Sequence, residues 1–179
     1  MIGPLAAAAA VLLAVAGLAK LRAPAPAATM LVALVPALTR RRPAVRAFVR
    51  LAGVGEAAVG TAFLAVGGRY PAALLAVAYL AFAAIALRLA TRRSDTSCGC
   101  FGAVDSPVGA GHVVLNLLCL ATATVAAVRP VGALGGLLHH GATTLLVGGA
   151  QVLLLAWLGY LAITALPALA SARRLEEAR

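Results

Sequence analysis

The sequence predicts an all-α protein built as a polytopic bundle of transmembrane helices. The chain has 179 residues, of which 63% are hydrophobic and only 11% are charged, whereas soluble domains carry about 25% charged residues. Its mean hydropathy is +1.02. A soluble fold of this length could not bury so much apolar surface, so we expect the lipid bilayer to cover part of it.

The basic charge of the chain indicates membrane topology rather than nucleic-acid binding. The formal net charge is +10, which in a soluble protein would suggest a nucleic-acid partner. Aromatic residues make up only 4% of the chain, so few side chains could stack on bases, and the arginines lie between apolar runs. We interpret the arginines as topology signals and lipid-headgroup anchors, and we expect no nucleic-acid partner.

Five apolar runs have about the length that crosses a bilayer. The first, residues 2–19, ends at Lys20 and Arg22. Because no basic residue precedes Lys20, we expect a retained helix rather than a cleaved signal peptide. The other four predicted spans are residues 48–67, 71–90, 112–128 and 142–166.

The connections between the first three spans have their own patterns. Residues 27–38 are apolar but too short to cross, and they contain Pro36, so they predict an interfacial or re-entrant segment. A tight turn is expected over residues 67–71, where two glycines precede an arginine, a tyrosine and a proline.

The distribution of basic residues predicts the orientation. Loops on one side carry eleven basic residues and loops on the other carry two, Arg69 and Arg129, with the borderline Arg50 and Arg88 left out. The positive-inside rule places the larger set in the cytoplasm. We therefore expect a multi-pass cell-membrane protein with its amino terminus outside and its carboxyl terminus in the cytoplasm. The larger set comprises Lys20, Arg22, Arg40, Arg41, Arg42, Arg46, Arg92, Arg93, Arg173, Arg174 and Arg179.

Cys98 and Cys100 are the first candidates for chemistry, in a polar loop that leads into the fourth span. Two thiols separated by one glycine can close a small disulfide ring that departs from relaxed geometry and is easily reduced. The amino-terminal end of the following helix would favour a thiolate. Spacing alone leaves three alternatives open: a redox pair, two ligands of a metal, or an unreactive structural turn.

His112, Asn116 and Cys119 follow this loop at i, i+4 and i+7 and therefore share one helix face. His112 could take or give a proton during thiol exchange, or it could be an ordinary interfacial histidine. Asn116 could hydrogen-bond to a neighbouring helix or to a small bound molecule. Cys119 could act as a relay thiol, although a buried cysteine is usually a small hydrophobic residue.

Glu56 is the only acid within an apolar run. An intramembrane carboxylate is costly and by default marks a functional or pairing position. Lys20 and Arg50 are its candidate partners, and we favour structural pairing between helices over a proton or ligand role. Gln151 in the fifth span is expected to make an interhelical hydrogen bond.

These motifs occur in one order along the first 130 residues. The order comprises residues 17–22 at the end of the first helix, Glu56, the Cys-Gly-Cys-Phe-Gly sequence at residues 98–102, His112 and Asn116. It resembles the MauE family, within the broader DoxX-like group of small four-helix membrane proteins. Family members often carry an arginine just before the asparagine, where this chain has Leu115.

The resemblance implies a domain organisation and a function. Residues 1–130 would form the DoxX-like four-helix bundle, 131–170 an additional helix with its connection, and 171–179 a polar cytoplasmic tail. MauE is linked to methylamine utilisation and is thought to assist maturation of the disulfide-rich small subunit of methylamine dehydrogenase, alongside a thioredoxin-like partner. Cys98 and Cys100 would then be the thiol pair.

We therefore expect a component of a membrane thiol–disulfide oxidoreductase, without a metal site. His112 would assist as an acid or base. The pair would be supported by Asn116, Cys119, Glu56 and Lys20. The electron partner would be a thioredoxin-like protein or a quinone between the helices. The alternative is a non-enzymatic assembly or scaffold protein whose Cys-Gly-Cys loop is structural or binds a metal. Because disulfides are made outside the cytoplasm, a cytoplasmic pair suits electron import from a cytosolic reductant better than direct oxidation of exported proteins.

Overall fold

Helices make up nearly all of the chain that the structure describes. A computed structural model describes residues 2–91, 108–132 and 142–177, so Cys98 and Cys100 lie outside the described residues. The elements in order are α1 Ile2–Arg22, α2 Ala25–Leu34, a 3-10 helix Pro36–Arg41, α3 Arg42–Val66, α4 Arg69–Thr91, α5 Ala110–Val128 and α6 Ala142–Glu177. Within those ranges no β-strand occurs, and the predicted all-α class is confirmed.

Five of these helices, α1, α3, α4, α5 and α6, are long and apolar enough to cross a membrane. Each corresponds to one predicted span, and two of the bounds differ by more than three residues. α3 begins at Arg42, well before the predicted start at 48, because proline is well suited to the first turn of a helix and Pro43 lies there. α6 continues to Glu177 through most of the predicted tail, since the alanine, leucine, arginine and glutamate residues there favour helix.

α1 is the central helix of the bundle. It contacts α3, α5 and α6, while α4 packs against α3 and α5. Ala6, Ala10 and Leu13 of α1 lie in the main core cluster together with residues of α3, α4 and α5. Lipid tails are as apolar as leucine, so helices in a bilayer associate through close packing and polar contacts rather than through exclusion of water. The alanines of α1 suit such close packing.

Gly17, Gly53 and Gly60 determine how closely α1 approaches α3. A Cβ atom added to Gly17 would lie 2.5 Å from the carbonyl oxygen of Gly53, and one added to Gly60 would lie 2.5 Å from the carbonyl oxygen of Ala10. These obstacles are backbone atoms, which cannot rotate away as a side chain can. α1 and α3 therefore pack backbone against backbone over about two helical turns.

α2, the predicted short apolar segment, is a helix packed against one end of the bundle. Ala27 and Ala28 contact Val45 and Val49 near the start of α3. Met30 belongs to a second cluster with the last turns of α4 and the residue Val108 just before α5. The end of α1, the start of α3, the end of α4 and the start of α5 therefore lie at the same end of the bundle.

A turn lies at the opposite end, but it covers only Gly67 and Gly68 of the predicted residues 67–71, because α4 already begins at Arg69. Gly67 and Gly68 have φ values of 65° and 85°, a region that side-chain-bearing residues rarely adopt. Gly67 also forms an isolated bridge with Gly132, and the amide of Gly68 donates to the carbonyl of Val131 at 3.1 Å. The turn therefore joins α3 to α4 and contacts the chain just after α5.

The interhelical hydrogen bond expected from Gln151 is not formed among the described residues, and that prediction is wrong. Gln151 is exposed on α6, whereas the neighbouring Val152 and Ala156 are buried against α1. Successive residues of an α-helix point about 100° apart. Because the small and apolar residues of α6 face α1, the amide of Gln151 is turned to the outer surface.

Candidate functional site

Lys20 and Glu56 form a buried ion pair between α1 and α3. The Nζ atom of Lys20 donates to Oε2 of Glu56 at 2.5 Å, and the two side chains are only 8% and 10% exposed. Lysine near the end of a membrane helix usually extends toward the interface. Here the side chain instead reaches Glu56, consistent with the lean of helical side chains toward the amino terminus of their helix. Arg50, the other candidate partner, is exposed.

A gap in the surface of α3 allows Lys20 to cross to Glu56. Gly53 lies one turn before Glu56, and a Cβ atom added there would lie 3.2 Å from the Cβ atom of Lys20. The same absence of side chains that brings α1 and α3 together therefore leaves space for the lysine stem. Glycine packing and ion pairing depend on each other at this point.

An aromatic ring from a third helix completes the environment of the Lys20 ammonium. Nζ lies 4.8 Å from the centroid of the Phe82 ring on α4, a distance at which cation–π attraction is significant. Phe82 is held edge to face against Tyr79, with ring centroids 6.0 Å apart and ring planes at 89°. Lys20–Glu56 is the one ion pair among the side chains that the structure describes, which do not include those beyond residue 165.

Tyr79 extends the polar contacts to α5. Its hydroxyl, buried with the side chain at 5% exposure, donates to the carbonyl of Ala9 at 2.7 Å. The Cys119 thiol is within hydrogen-bonding reach of the same hydroxyl. A hydroxyl has one proton, and that proton is directed to Ala9, so a hydrogen bond between the two groups requires the thiol as its donor.

We use the name polar cluster for one group of side chains, namely Lys20, Glu56, Tyr79 and Cys119 with the ring of Phe82. Glu56 is close enough to Tyr79 for the two groups to interact electrostatically, which connects the ion pair to the thiol–hydroxyl pair. The members come from α1, α3, α4 and α5, so the cluster connects four of the five long helices. Paired polar groups inside a membrane can fix the arrangement of helices, and a buried carboxylate beside an amine can also hold a proton.

His112 lies in the first turn of α5 and is 6% exposed. Its Nδ1 atom accepts a hydrogen bond from the amide of Gly109 at 3.3 Å, while its own amide donates to the carbonyl of Gly109 at 3.1 Å. The side chain therefore caps the start of the helix. A ring nitrogen that accepts carries no proton, so the neutral ring has its proton on Nε2, which can donate a hydrogen bond but cannot accept a further proton.

Asn116 bonds within its own helix instead of to a neighbour. Its Nδ2 atom donates to the carbonyl of His112 at 2.7 Å, and the side chain is half-buried. His112, Asn116 and Cys119 share the predicted face of α5, with His112 and Cys119 about 10 Å apart along the axis. The structure thus brings Lys20, Glu56 and Cys119 together through Tyr79. It places Asn116 about one turn and His112 about two turns from Cys119 along α5.

Tyr79 and Phe82 were not predicted as site residues. A tyrosine in an apolar span has a hydroxyl that requires a partner when it is buried, and this signal could have indicated Tyr79. Phe82 carries no comparable signal, because its role depends on where α4 places it. Among the residues that the structure describes, no three His, Cys, Asp or Glu side chains come together as a metal site requires. Cys98 and Cys100 are outside that statement.

Comparison with known proteins identifies the bundle. The family described as methylamine utilisation protein MauE matches residues 2–129, which include α1 to α5 and end just before α6. A search of curated proteins finds no match, and a search of solved structures finds none.

Proposed function

The chain belongs to the MauE family of integral membrane proteins, and from this premise we propose that it exchanges a thiol pair with a disulfide of a partner protein. Cys98 and Cys100 are the exchanging residues in this proposal. One of them, as a thiolate, attacks a disulfide of a thioredoxin-like partner, and the other then displaces the partner from the mixed disulfide. Two electrons and two protons pass to the partner, which leaves as a dithiol, and the reverse direction uses the same steps.

The observation that carries the proposal is the position of the Cys-Gly-Cys sequence relative to α5. Cys100 precedes the buried His112 by twelve residues, and His112 has an N–H at Nε2 that can donate a hydrogen bond to a thiolate, because Nδ1 accepts from Gly109. Both cysteines also lie within the matched family segment 2–129. Cys119, by contrast, is only 7% exposed and lies beside the Tyr79 hydroxyl, so we assign it no part in the exchange.

The polar cluster supports this function by holding the helices in place. Its members contact one another across α1, α3, α4 and α5, and we assign the cluster the role of keeping these helices in position. A quinone is not required by the exchange, and we assign no described residue to one. The direction of electron flow follows from the side of the membrane on which the pair lies, which the charge distribution predicts to be the cytoplasm.

The second candidate is a non-enzymatic assembly protein of the membrane. It is favoured by the way the buried polar groups pair with one another, Lys20 with Glu56 and Cys119 with Tyr79, as structural contacts between helices do. In that case the Cys-Gly-Cys sequence is a turn or a pair of metal ligands, and its thiols do not exchange with a partner.

Thiol counting in intact membranes separates the two candidates. The chain has three cysteines, so Cys119→Ala leaves only the pair, and Cys98→Ser/Cys100→Ser leaves only Cys119. The proteins are treated with a mass-tagged maleimide before and after a mild reductant or oxidant. We expect the pair to gain two tags on reduction or to lose two on oxidation, while Cys119 reacts slowly under all conditions.

Two results would support the assembly protein instead. A metal site would release two reactive thiols on addition of a chelator, without any reductant. A pair that stays reduced under oxidant, together with a Cys98→Ser variant that leaves maturation of the partner unchanged, would show that no exchange occurs. Controls with Cys119→Ala ensure that each tag is counted at the correct residue.

A further inference from the structure

A cleft between α2 and the start of α3 carries chemistry that the polar cluster and the thiol pair do not use. The space between the two helices is about 380 Å³ with its open, solvent-facing part included, so the cleft is a surface depression and not an enclosed cavity. Residues at i, i+3 and i+4 of α3 form one wall, and a face of α2 forms the other. The lining residues on which the argument rests are Arg42, Val45, Arg46, Ala28, Thr29 and Val32.

The charge of the cleft is uncompensated. Arg42 and Arg46 are one turn apart on α3, so their side chains leave the helix about 5–6 Å from each other, a spacing that allows both to contact one phosphate group. Both are exposed, and within the part of the chain that the structure describes neither has an acidic partner. An arginine pair of this kind favours phosphate, which a guanidinium group can bind with two parallel hydrogen bonds.

The Thr29 hydroxyl adds a third polar group on the opposite wall. Other threonines of the long helices, such as Thr61 and Thr124, donate their hydroxyl to a carbonyl of their own helix. Thr29 makes no such bond among the described residues, and its side chain is exposed at the cleft. Its proton is therefore available to a molecule that enters between α2 and α3.

The remaining lining is apolar. Ala28 and Val45 lie in the cluster that joins α2 to α3, with Val32 packed against it, so they form a hydrocarbon floor beneath the arginines. α2 is too short to cross a bilayer, and α3 passes here from an arginine-rich segment into its apolar part. That transition is typical of the headgroup level of a membrane.

We propose that this cleft binds an anionic phospholipid. Arg42 and Arg46 hold the phosphate diester, Thr29 donates a hydrogen bond to it, and the floor formed by Ala28, Val32 and Val45 covers the hydrocarbon next to the headgroup. The proposal does not depend on thiol exchange, because none of these residues belongs to the polar cluster or to the Cys-Gly-Cys loop.

The test measures lipid binding to the full-length protein in a neutral detergent. Native mass spectrometry counts bound molecules during titration with phosphatidylglycerol or with phosphatidylcholine. We expect the wild-type chain to retain one phosphatidylglycerol in preference to phosphatidylcholine. Arg42→Gln/Arg46→Gln should lower this affinity about tenfold or more, because charge-assisted hydrogen bonds are lost, and Thr29→Val should lower it by about threefold.

The matched control is Arg40→Gln/Arg41→Gln, which removes the same charge from the neighbouring 3-10 helix outside the cleft. It should change the affinity by less than about threefold. Equal losses in the two glutamine pairs would overturn the proposed site, because general attraction to the basic surface would then suffice. Displacement of the lipid by millimolar inorganic phosphate would overturn the lipid assignment in favour of a soluble anion.

A lysine pair keeps the test decisive if the glutamine variant does not fold. Arg42→Lys/Arg46→Lys retains both charges but cannot form two parallel bonds to one phosphate group. We expect it to bind phosphatidylglycerol several-fold more weakly than Arg40→Lys/Arg41→Lys. The same affinity in both lysine pairs would show that the cleft does not hold the phosphate.

Discussion

Removing one partner of the Lys20–Glu56 pair should destabilise the bundle far more than removing both. Lys20→Met retains an unbranched stem of similar length but leaves the Glu56 carboxylate, which is 10% exposed, without its cation. Loss of one partner of a buried pair typically costs about 3–5 kcal/mol. For a chain of this size, each kcal/mol lost from the free energy of unfolding lowers the thermal midpoint by about 2–4 °C. We therefore expect the midpoint to fall by about 6 °C or more.

The comparison that isolates the pair is a double-mutant cycle. Glu56→Leu should destabilise about as much as Lys20→Met, because it leaves the ammonium buried beside Phe82. The double variant Lys20→Met/Glu56→Leu should recover to within about 1 kcal/mol of the wild type, since apolar replacement of a buried pair is often neutral. Glu56→Gln should cost less than Glu56→Leu, because its side-chain carbonyl can still accept from Lys20.

The assay is thermal unfolding of the purified protein in one detergent, followed by the fraction that elutes as an intact species in size-exclusion chromatography. Arg22→Met is the matched control, because Arg22 is exposed in the last turn of α1 and its loss should change stability by less than about 0.5 kcal/mol. The reasoning fails if the single losses simply add in the double variant, or if Lys20→Met behaves like Arg22→Met.

Three further predictions concern packing, the thiol and topology. Gly17→Ala should lower the thermal midpoint strongly, because its Cβ would meet backbone atoms of α3 at 2.5 Å. Gly55→Ala should have little effect, because a Cβ added there has no other heavy atom within 4 Å. Similar midpoints for both variants would contradict the close packing. Tyr79→Phe should lower the free energy of unfolding by about 1 kcal/mol. Adding Cys119→Ala should lower it little further if the thiol's only polar contact is the Tyr79 hydroxyl. A fully additive second loss would count against that contact. Reporter fusions at Gly68 and at the carboxyl terminus should report opposite sides of the membrane, and finding both on one side would refute the predicted orientation.

The helices could be predicted from the sequence because membrane spans depend on local composition. Each of the five predicted spans has a helix, since a stretch of about 20 apolar residues must satisfy its own backbone hydrogen bonds in lipid. The bounds were less certain where arginine-rich segments continued a helix, as at the start of α3. Hydropathy decreases there although helix propensity does not, so the predicted start fell several residues late.

The contacts between helices were only partly predictable. Glu56 was recognised because an acid in an apolar span requires a partner, but Lys20 and Arg50 were equivalent candidates until the packing of α1 on α3 was known. Gln151 shows the opposite outcome, because a polar residue in a span was expected to face another helix and instead faces outward. The choice depends on the rotation of each helix about its axis, which the small residues of the interface determine.

Position in the bundle also separates the two kinds of cysteine. Cys119 is buried beside Tyr79, so it is suited to packing and poorly suited to attack on a disulfide, which requires an accessible thiolate. Cys98 and Cys100 lie in a polar sequence between two spans. If thiol exchange is the function, variants of Lys20 or Glu56 should change stability with the pair still exchanging in the protein that remains folded. Variants of Cys98 or Cys100 should abolish exchange with the thermal midpoint unchanged. A loss of exchange in folded Glu56→Gln protein would instead show that the carboxylate takes part in the proton transfer itself, and the polar cluster would then belong to the reaction.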